Sequence, residues 1–489
     1  MKLSDESNVQ QKHIGPVEGV PSPVAPPRPQ APLAPLPVRP GPRRGPVRSQ
    51  PGGIRAILAI DALALLLVLA SGPAAYLWLD QSHPGPVAVA IATAQPAPSA
   101  VADASPGGSA SSQPGYQASG KPTSAPSMVF GSGAWTQAEP QPKAVWASAS
   151  VRLHDGRIMV IGGAASQSSF DAVAIAAIFD PATGHWSRVT DMLQPRAYAT
   201  AVTLNDGSVL VAGGSRNGQP LDTAERYIPD SGTWVAAGRL NLPRTQGELT
   251  LLADGRALAT GGGIEGGPTW SSTASAEIFN PKTSQWSLVP PMAVARVRHT
   301  AVLLPDGEVL VAGGATTFHL DAGIVTASAE LFNPRTNSWR AAASMPEPRY
   351  VHRSVLLHDG RVLLAGGWYA MSNADPSHET AVIYDPATDK WSATGSMTTA
   401  RAEFGLAMLP DGRVLVAGGT DKSYSLTVTA ELFDPVTGSW TPTGNLKVAT
   451  MWSAIQTLAD GRVLISGGGL DASAIKVTAA CEIYSPTSR

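Results

Sequence analysis

The chain has 489 residues, a formal net charge of −2 and one cysteine, Cys481. A single thiol excludes an intrachain disulfide framework and a thiolate metal cluster. Residues 1–55 hold eight Lys and Arg against three Asp and Glu, leaving 27 against 34 for the remainder, so the body is mildly acidic and lacks the basic face that nucleic acid requires.

Residues 1–55 are dense in proline, as from Val20 to Pro29 and from Val38 to Pro46. Such a segment buries too little apolar surface to offset its ordering entropy, which predicts a disordered tail. Its P-x-x-P patterns could suit a cytoplasmic partner with an aromatic groove, but a plain solvated tail is the preferred reading.

From Ala56 to Leu79 the chain is apolar except for Asp61 and Ser71, a run of 24 residues that is long enough to cross a bilayer. Arg43, Arg44, Arg48 and Arg55 precede it, and no Lys or Arg follows before Lys121. That asymmetry puts the N-terminus in the cytoplasm and everything after the helix outside it. A cleaved signal peptide, cut near Ala70 or Ala75, is the alternative, giving a secreted protein. Asp61 lies near the inner end, where it either snorkels or marks a helix partner or proton path. Residues 80–127, rich in Ala, Ser, Pro and Gly, form a flexible linker.

Residues 128–489 repeat. Asp155-Gly-Arg-Ile-Met-Val-Ile-Gly-Gly recurs with variants starting at Asp206, Asp254, Asp306, Asp359, Asp411 and Asp460. A tryptophan keeps the same rhythm at Trp135, Trp186, Trp234, Trp286, Trp339, Trp391 and Trp440, at intervals of 48 to 53 residues. Each unit reads as four strands. One apolar run, such as His299 to Leu304, meets a Pro-Asp-Gly turn and returns as Val309 to Ala312. Asp-Gly between apolar runs predicts a two-residue type I′ hairpin, with positive φ at both central residues. After Gly-Gly come a loop of variable length, a third strand such as Ala329 to Phe332, an Asn-Pro or Asp-Pro turn, and a fourth strand opened by the tryptophan. The second strands are apolar on both faces, as a sheet packed between two neighbours must be. Four strands repeated radially make a propeller, here an all-β, seven-bladed one. The chain enters at Trp135, in a fourth-strand slot, and leaves after a third strand at Cys481 to Tyr484, so the two ends should complete one blade and close the ring.

The strings Asp411-Gly-Arg-Val-Leu-Val-Ala-Gly-Gly, Ala430-Glu-Leu-Phe-Asp-Pro with Trp440 after it, and Met397-x-x-x-Arg401 resemble kelch repeats, of the bacterial type also seen in the propeller of galactose oxidase. The resemblance implies a fold and says little about function. A galactose-oxidase-like copper site would need a cysteine beside a tyrosine cofactor and two histidine ligands, whereas Cys481 occupies a slot filled by Ala276, Ala329 and Ala430 in other units. No cofactor or metal is expected from the histidine spacing.

Alternating strands put the Asp-Gly and Asp-Pro turns on one face, the turn face, and the variable loops on the other, the loop face, where binding residues usually lie. Three loops stand out: 263–274 with Trp270; 315–326 with Phe318, His319 and Asp321; and 368–380 with Trp368, Tyr369, Asp375 and His378. Five arginines, Arg196, Arg244, Arg296, Arg349 and Arg401, recur ten residues before the hairpin Asp, around the loop-face mouth of the channel. They form either an anion-binding ring or pairs with the recurrent Glu225, Glu277, Glu330, Glu431 and Glu482. Trp146 and Trp452 stand near that slot in the two units that meet at the closure, to stack on sugars or to plug the gap. The expected function is a membrane-anchored, extracytoplasmic scaffold that binds a protein or carbohydrate through the loop face. A propeller enzyme, an oxidase, epimerase or hydrolase at the channel mouth, is the alternative.

Overall fold

The structure is a computed structural model that describes residues 133–487, except 167–170, 266–269, 319–323, 370–376 and 472–475. The apolar run at 56–79 lies outside these residues, as do the tail, the linker, His319, Asp321 and Asp375. Among the described residues no helix is long and apolar enough to cross a membrane.

Seven antiparallel blades follow one another in chain order, six of them each built from one continuous stretch of chain. In the sixth blade, for example, strands Gly405–Met408, Val414–Ala417, Ala430–Asp434 and Ser439–Pro442 lie side by side. The first strand of each blade contacts the first strands of both neighbours, so seven inner strands encircle the axis. All four residues of Val414–Ala417 are buried, as are their equivalents in the other blades, because each sheet is packed on both faces.

The seventh blade is made from both ends of the described chain. Strand Ala134–Ala138 pairs antiparallel with Cys481–Ser485, and Trp135 stands opposite Tyr484 with ring centroids 5.2 Å apart. Trp440 packs on Phe433 in the preceding blade. The register expected from the repeat is therefore the one observed.

The recurring tryptophan joins blades as well as strands. Within its own blade Trp286 lies 5.2 Å from Phe279, and its indole N–H donates to the Ala237 carbonyl of the blade before, at 3.0 Å. Trp186, Trp234, Trp339 and Trp391 make the equivalent bond to Glu139, Thr190, Pro290 and Ala343. An indole suits this slot because it combines a large apolar face with one donor.

The Asp-Gly turns differ from the expected type I′ form. Only the glycine has positive φ, 89° at Gly156, and Gly156 donates to Leu153 O while Leu153 donates to Arg157 O. This is a type I turn closed by a glycine bulge, a three-residue loop. The Asp155 carboxylate accepts from the Arg157 amide at 3.0 Å, which holds the preceding residues in right-handed conformation.

The Gly-Gly pair locks each blade to the next. Gly163, Gly214, Gly262, Gly314, Gly367, Gly419 and Gly468 each donate to a carbonyl at the start of the following blade. A Cβ on Gly262, whose φ is 106°, would stand 2.9 Å from the Thr245 carbonyl, so a side chain there collides with backbone.

Candidate functional site

The five arginines lie under the surface of the loop-face mouth, each at most 4% exposed. Arg244 shows the pattern: Nη1 donates to the carbonyls of Gly261 and Ser275, and Nη2 to Ser275 Oγ and Glu277 Oε1, the last at 2.6 Å. Glu277 in turn accepts from the backbone amides of Asn241 and Leu242. Arg196, Arg296 and Arg401 pair in the same way with Glu225, Glu330 and Glu431, at 2.6, 2.8 and 2.7 Å. Arg349 differs because Val382 fills the glutamate slot; it keeps its bonds to Gly366 O, Thr380 O and Thr380 Oγ1, but its acid is the half-exposed Glu347, at 3.4 Å, and burial holds its guanidinium down to about 10. In the first blade both partners are missing, with Val145 and Ala177 in their places, and Glu482 of the seventh caps the amides of Lys447 and Val448. These groups act as a lock between the third strand, the Gly-Gly corner and the incoming chain.

On the loop face, the loops of the third and fourth blades are tied together: Trp270–Ser271 pairs antiparallel with Thr317–Phe318. Trp368 is buried and stacks on Tyr424 of the next blade, at 4.4 Å and 16°. Tyr369 lies against His378. His378 is wholly buried between Pro348 O and Thr380 Oγ1, and desolvation drives it down to about 3, so it stays neutral. Among the described residues, the loop-face loops of the fourth, sixth and seventh blades leave Ile324, Tyr424 and Leu470 exposed.

The channel mouth is framed by a ring of which the sequence expectations held only Trp452. Ala147, Tyr198, Gln246, Arg298, Val351, Glu403 and Trp452, one per blade, all take positive φ, between 51° and 59°. Each stands eight residues before its hairpin Asp. Ala147 donates to Trp452 O, Tyr198 to Ala147 O, Gln246 to Tyr198 O, Arg298 to Gln246 O, Val351 to Arg298 O, and Trp452 to Glu403 O. This run of six backbone hydrogen bonds round the ring goes with the left-handed conformation, which non-glycine residues otherwise avoid. The side chains differ so much that no sequence pattern marks them. Their common distance from the Asp was the available signal.

Trp452 reaches across the mouth from the seventh blade. Its ring lies 5.7 Å from Tyr198, which is itself edge-on to Trp146, and 5.4 and 5.9 Å from the guanidinium carbons of Arg298 and Arg353. The indole also donates to the Glu403 carboxylate. Beside it is a cavity of about 140 Å³, lined among others by Glu248, Arg298 and Arg353. His299 and His352, below the rim, donate to or accept from Thr260 and Thr300 and are held neutral by burial. Among the described residues no group of three His, Cys, Asp or Glu side chains is placed to hold a metal ion. Cys481 is buried away from the mouth, in the core shared with Phe179 and Leu464, and burial pushes its thiol up to about 12. These residues do not fit a copper centre of the galactose oxidase kind.

Residues 195–241, 253–293, 349–398 and 407–447, which fall on the second, third, fifth and sixth blades, match the model described as the Kelch motif. Kelch-like protein 23 of Mus musculus is 26% identical over 277 residues, which is 56% of this chain and 46% of that protein. Beta-scruin of Limulus polyphemus is 28% identical over 155 residues, 31% of this chain and 16% of that protein. The chain thus spans less than half the length of these relatives. Among solved structures, a fungal alcohol oxidase of the AA5 family in complex with copper superposes with a TM-score of 0.60 at 20% identity, covering 72% of this chain and 76% of that one. At that identity the likeness shows the fold alone.

Proposed function

We propose that this chain, a seven-bladed propeller of kelch motifs homologous to kelch-like proteins, is an interaction scaffold that engages a protein partner through its loop face and is held outside the cytoplasm by the helix at 56–79. Kelch propellers commonly serve as protein-interaction scaffolds. The observation that carries the choice of face is the contrast between the two. On the turn face the repeated aspartates are largely paired with nearby arginines, as in Asp155–Arg157 at 2.7 Å, Asp254–Arg256 at 2.7 Å and Asp460–Arg462 at 2.7 Å, which leaves a repetitive, mostly polar surface with Val436 as an exposed apolar exception. The loop face carries chemically distinct loops on a rigid frame and exposes Ile324, Tyr424 and Leu470. Apolar and aromatic anchors of this kind dominate protein interfaces.

The test is quantitative cross-linking of the full chain in its own cells. A partner should be recovered with the wild-type chain and lost with the combined Ile324→Asp, Tyr424→Ser and Leu470→Asp variant, but kept with Val436→Asp on the turn face. Loss with Val436→Asp alone would move the interface to the other face. The topology rests on the arginine asymmetry about residues 56–79.

A further inference from the structure

Six of the seven inner strands open on a small or neutral residue or, once, on an arginine: Ala149, Thr200, Thr300, Arg353, Gly405 and Ala454. The remaining one opens on Glu248. Glu248 and Arg353 thus occupy the same slot two blades apart, with Thr300 between them, and both line the channel-mouth cavity.

The two charges are not paired with each other. Among the described residues no hydrogen bond or salt bridge reaches the Glu248 carboxylate, and Arg353 is the one charge that counters its burial. Arg353 is anchored through Nε, which donates to the Phe404 carbonyl at 3.1 Å, so it cannot swing across without giving up that bond. Its terminal nitrogens have no acceptor among the described residues. Opposite charges in the lining of one cavity, with no salt bridge joining them, leave one acceptor and one fork of donors to be satisfied from within it. Trp452 and Tyr198 supply an apolar wall.

We propose that the channel mouth is a binding site for a small zwitterion of the amino-acid class, its ammonium on Glu248 and its carboxylate on Arg353. A ligand with one charge satisfies one side and leaves the other desolvated and unpaired, whereas a zwitterion neutralises both. The size agrees: a cavity of about 140 Å³ has room for several waters, and so for a short amino acid. Burial raises Glu248 to about 7, which an ammonium would reverse. The proposal is independent of the partner on the loop face, since these groups lie inside the mouth.

The experiment is titration calorimetry on the full chain in detergent, with glycine, L-alanine, L-serine and L-threonine as probes and with ethylamine and acetate as single-charge controls. At least one amino acid should bind, with each control at least about tenfold weaker, which is roughly one charged contact. Glu248→Gln and Arg353→Gln should each lose at least that factor, while Arg353→Lys, which keeps the charge, retains part of the binding, and Asp222→Asn, on the outer wall, leaves it unchanged. Melting curves of every variant establish that it is folded. Failure of all four amino acids to bind, binding of acetate or ethylamine as tight as the amino acid, or undiminished binding by folded Glu248→Gln would overturn the assignment.

Discussion

Arg244 and Glu277 meet at 2.6 Å, with side chains 4% and 0% exposed, at the corner where the third blade receives the chain from the second. The pair is buried among backbone groups: Arg244 donates to the Gly261 and Ser275 carbonyls, and Glu277 accepts from the Asn241 and Leu242 amides. Removing Glu277 strands a buried guanidinium and two backbone amides. Glu277→Ala should cost about 3 to 5 kcal/mol, whereas Glu347→Ala, which loses a half-exposed contact to Arg349 at 3.4 Å, should cost under about 1 kcal/mol. Chemical denaturation of residues 128–489 measures both. Equal losses would mean that the buried lock is not what holds the corner.

Ring closure supplies a second expectation. Trp135 and Tyr484 are opposite each other in one sheet although nearly the whole propeller separates them in sequence. A chain ending before Cys481 loses Ile483 and Tyr484 and leaves two open blade faces. Each large side chain stripped from such an interface forfeits about 1.5 to 3 kcal/mol, and a domain has only about 5 to 15 kcal/mol in hand. The truncated chain should aggregate or melt far lower in calorimetry, while deletion of residues 1–127 should leave the transition nearly unchanged. A normal melt for the truncated chain would refute the closure.

That closure was legible because the tryptophan and Gly-Gly rhythms fix the register of every strand, including those at the two ends. The turn type was not: Asp-Gly serves a type I′ hairpin and a type I turn with a glycine bulge alike, and the choice depends on whether Asp155 or only Gly156 takes positive φ. The sequence held both readings of the arginines, and burial shows Arg196, Arg244, Arg296 and Arg401 locked to their glutamates. Glu248 and Arg353 escaped notice because each is a single departure in an inner-strand slot, and repeat reading attends to what recurs.

Glu248 also gives the fold a pH signature. Burial raises its carboxyl from 4.5 to about 7, so the folded state holds the proton more tightly than the unfolded chain. Between those values unfolding releases protons, and this group makes stability fall as pH rises. Glu403 shifts in the same direction; Arg353 opposes the burial of both carboxyls, and Arg298 that of Glu403 as well. Glu248→Gln should therefore melt higher than wild type at about pH 8 and alike at about pH 4, read by differential scanning fluorimetry. A higher melt only at low pH would reverse the sign and contradict the burial argument.

For topology, a cysteine placed in the 80–127 linker should react with an impermeant thiol reagent on intact cells, and one placed before Arg43 should not. Cys481 gives little background, since it is buried and burial raises its thiol to about 12. The opposite labelling pattern would invert the orientation. A mature N-terminus between residues 71 and 79 would mean that the propeller is released.

The central claim, that this propeller works through its loop face, is tested most directly by site-specific photo-crosslinking in living cells. A benzophenone amino acid is placed in turn at Ile324, Tyr424 and Leu470 on the loop face and at Val436 and Leu288 on the turn face and outer wall, all of them exposed positions. The account predicts one common adduct from the first three positions and none from the last two. Adducts confined to Val436 or Leu288 would contradict it.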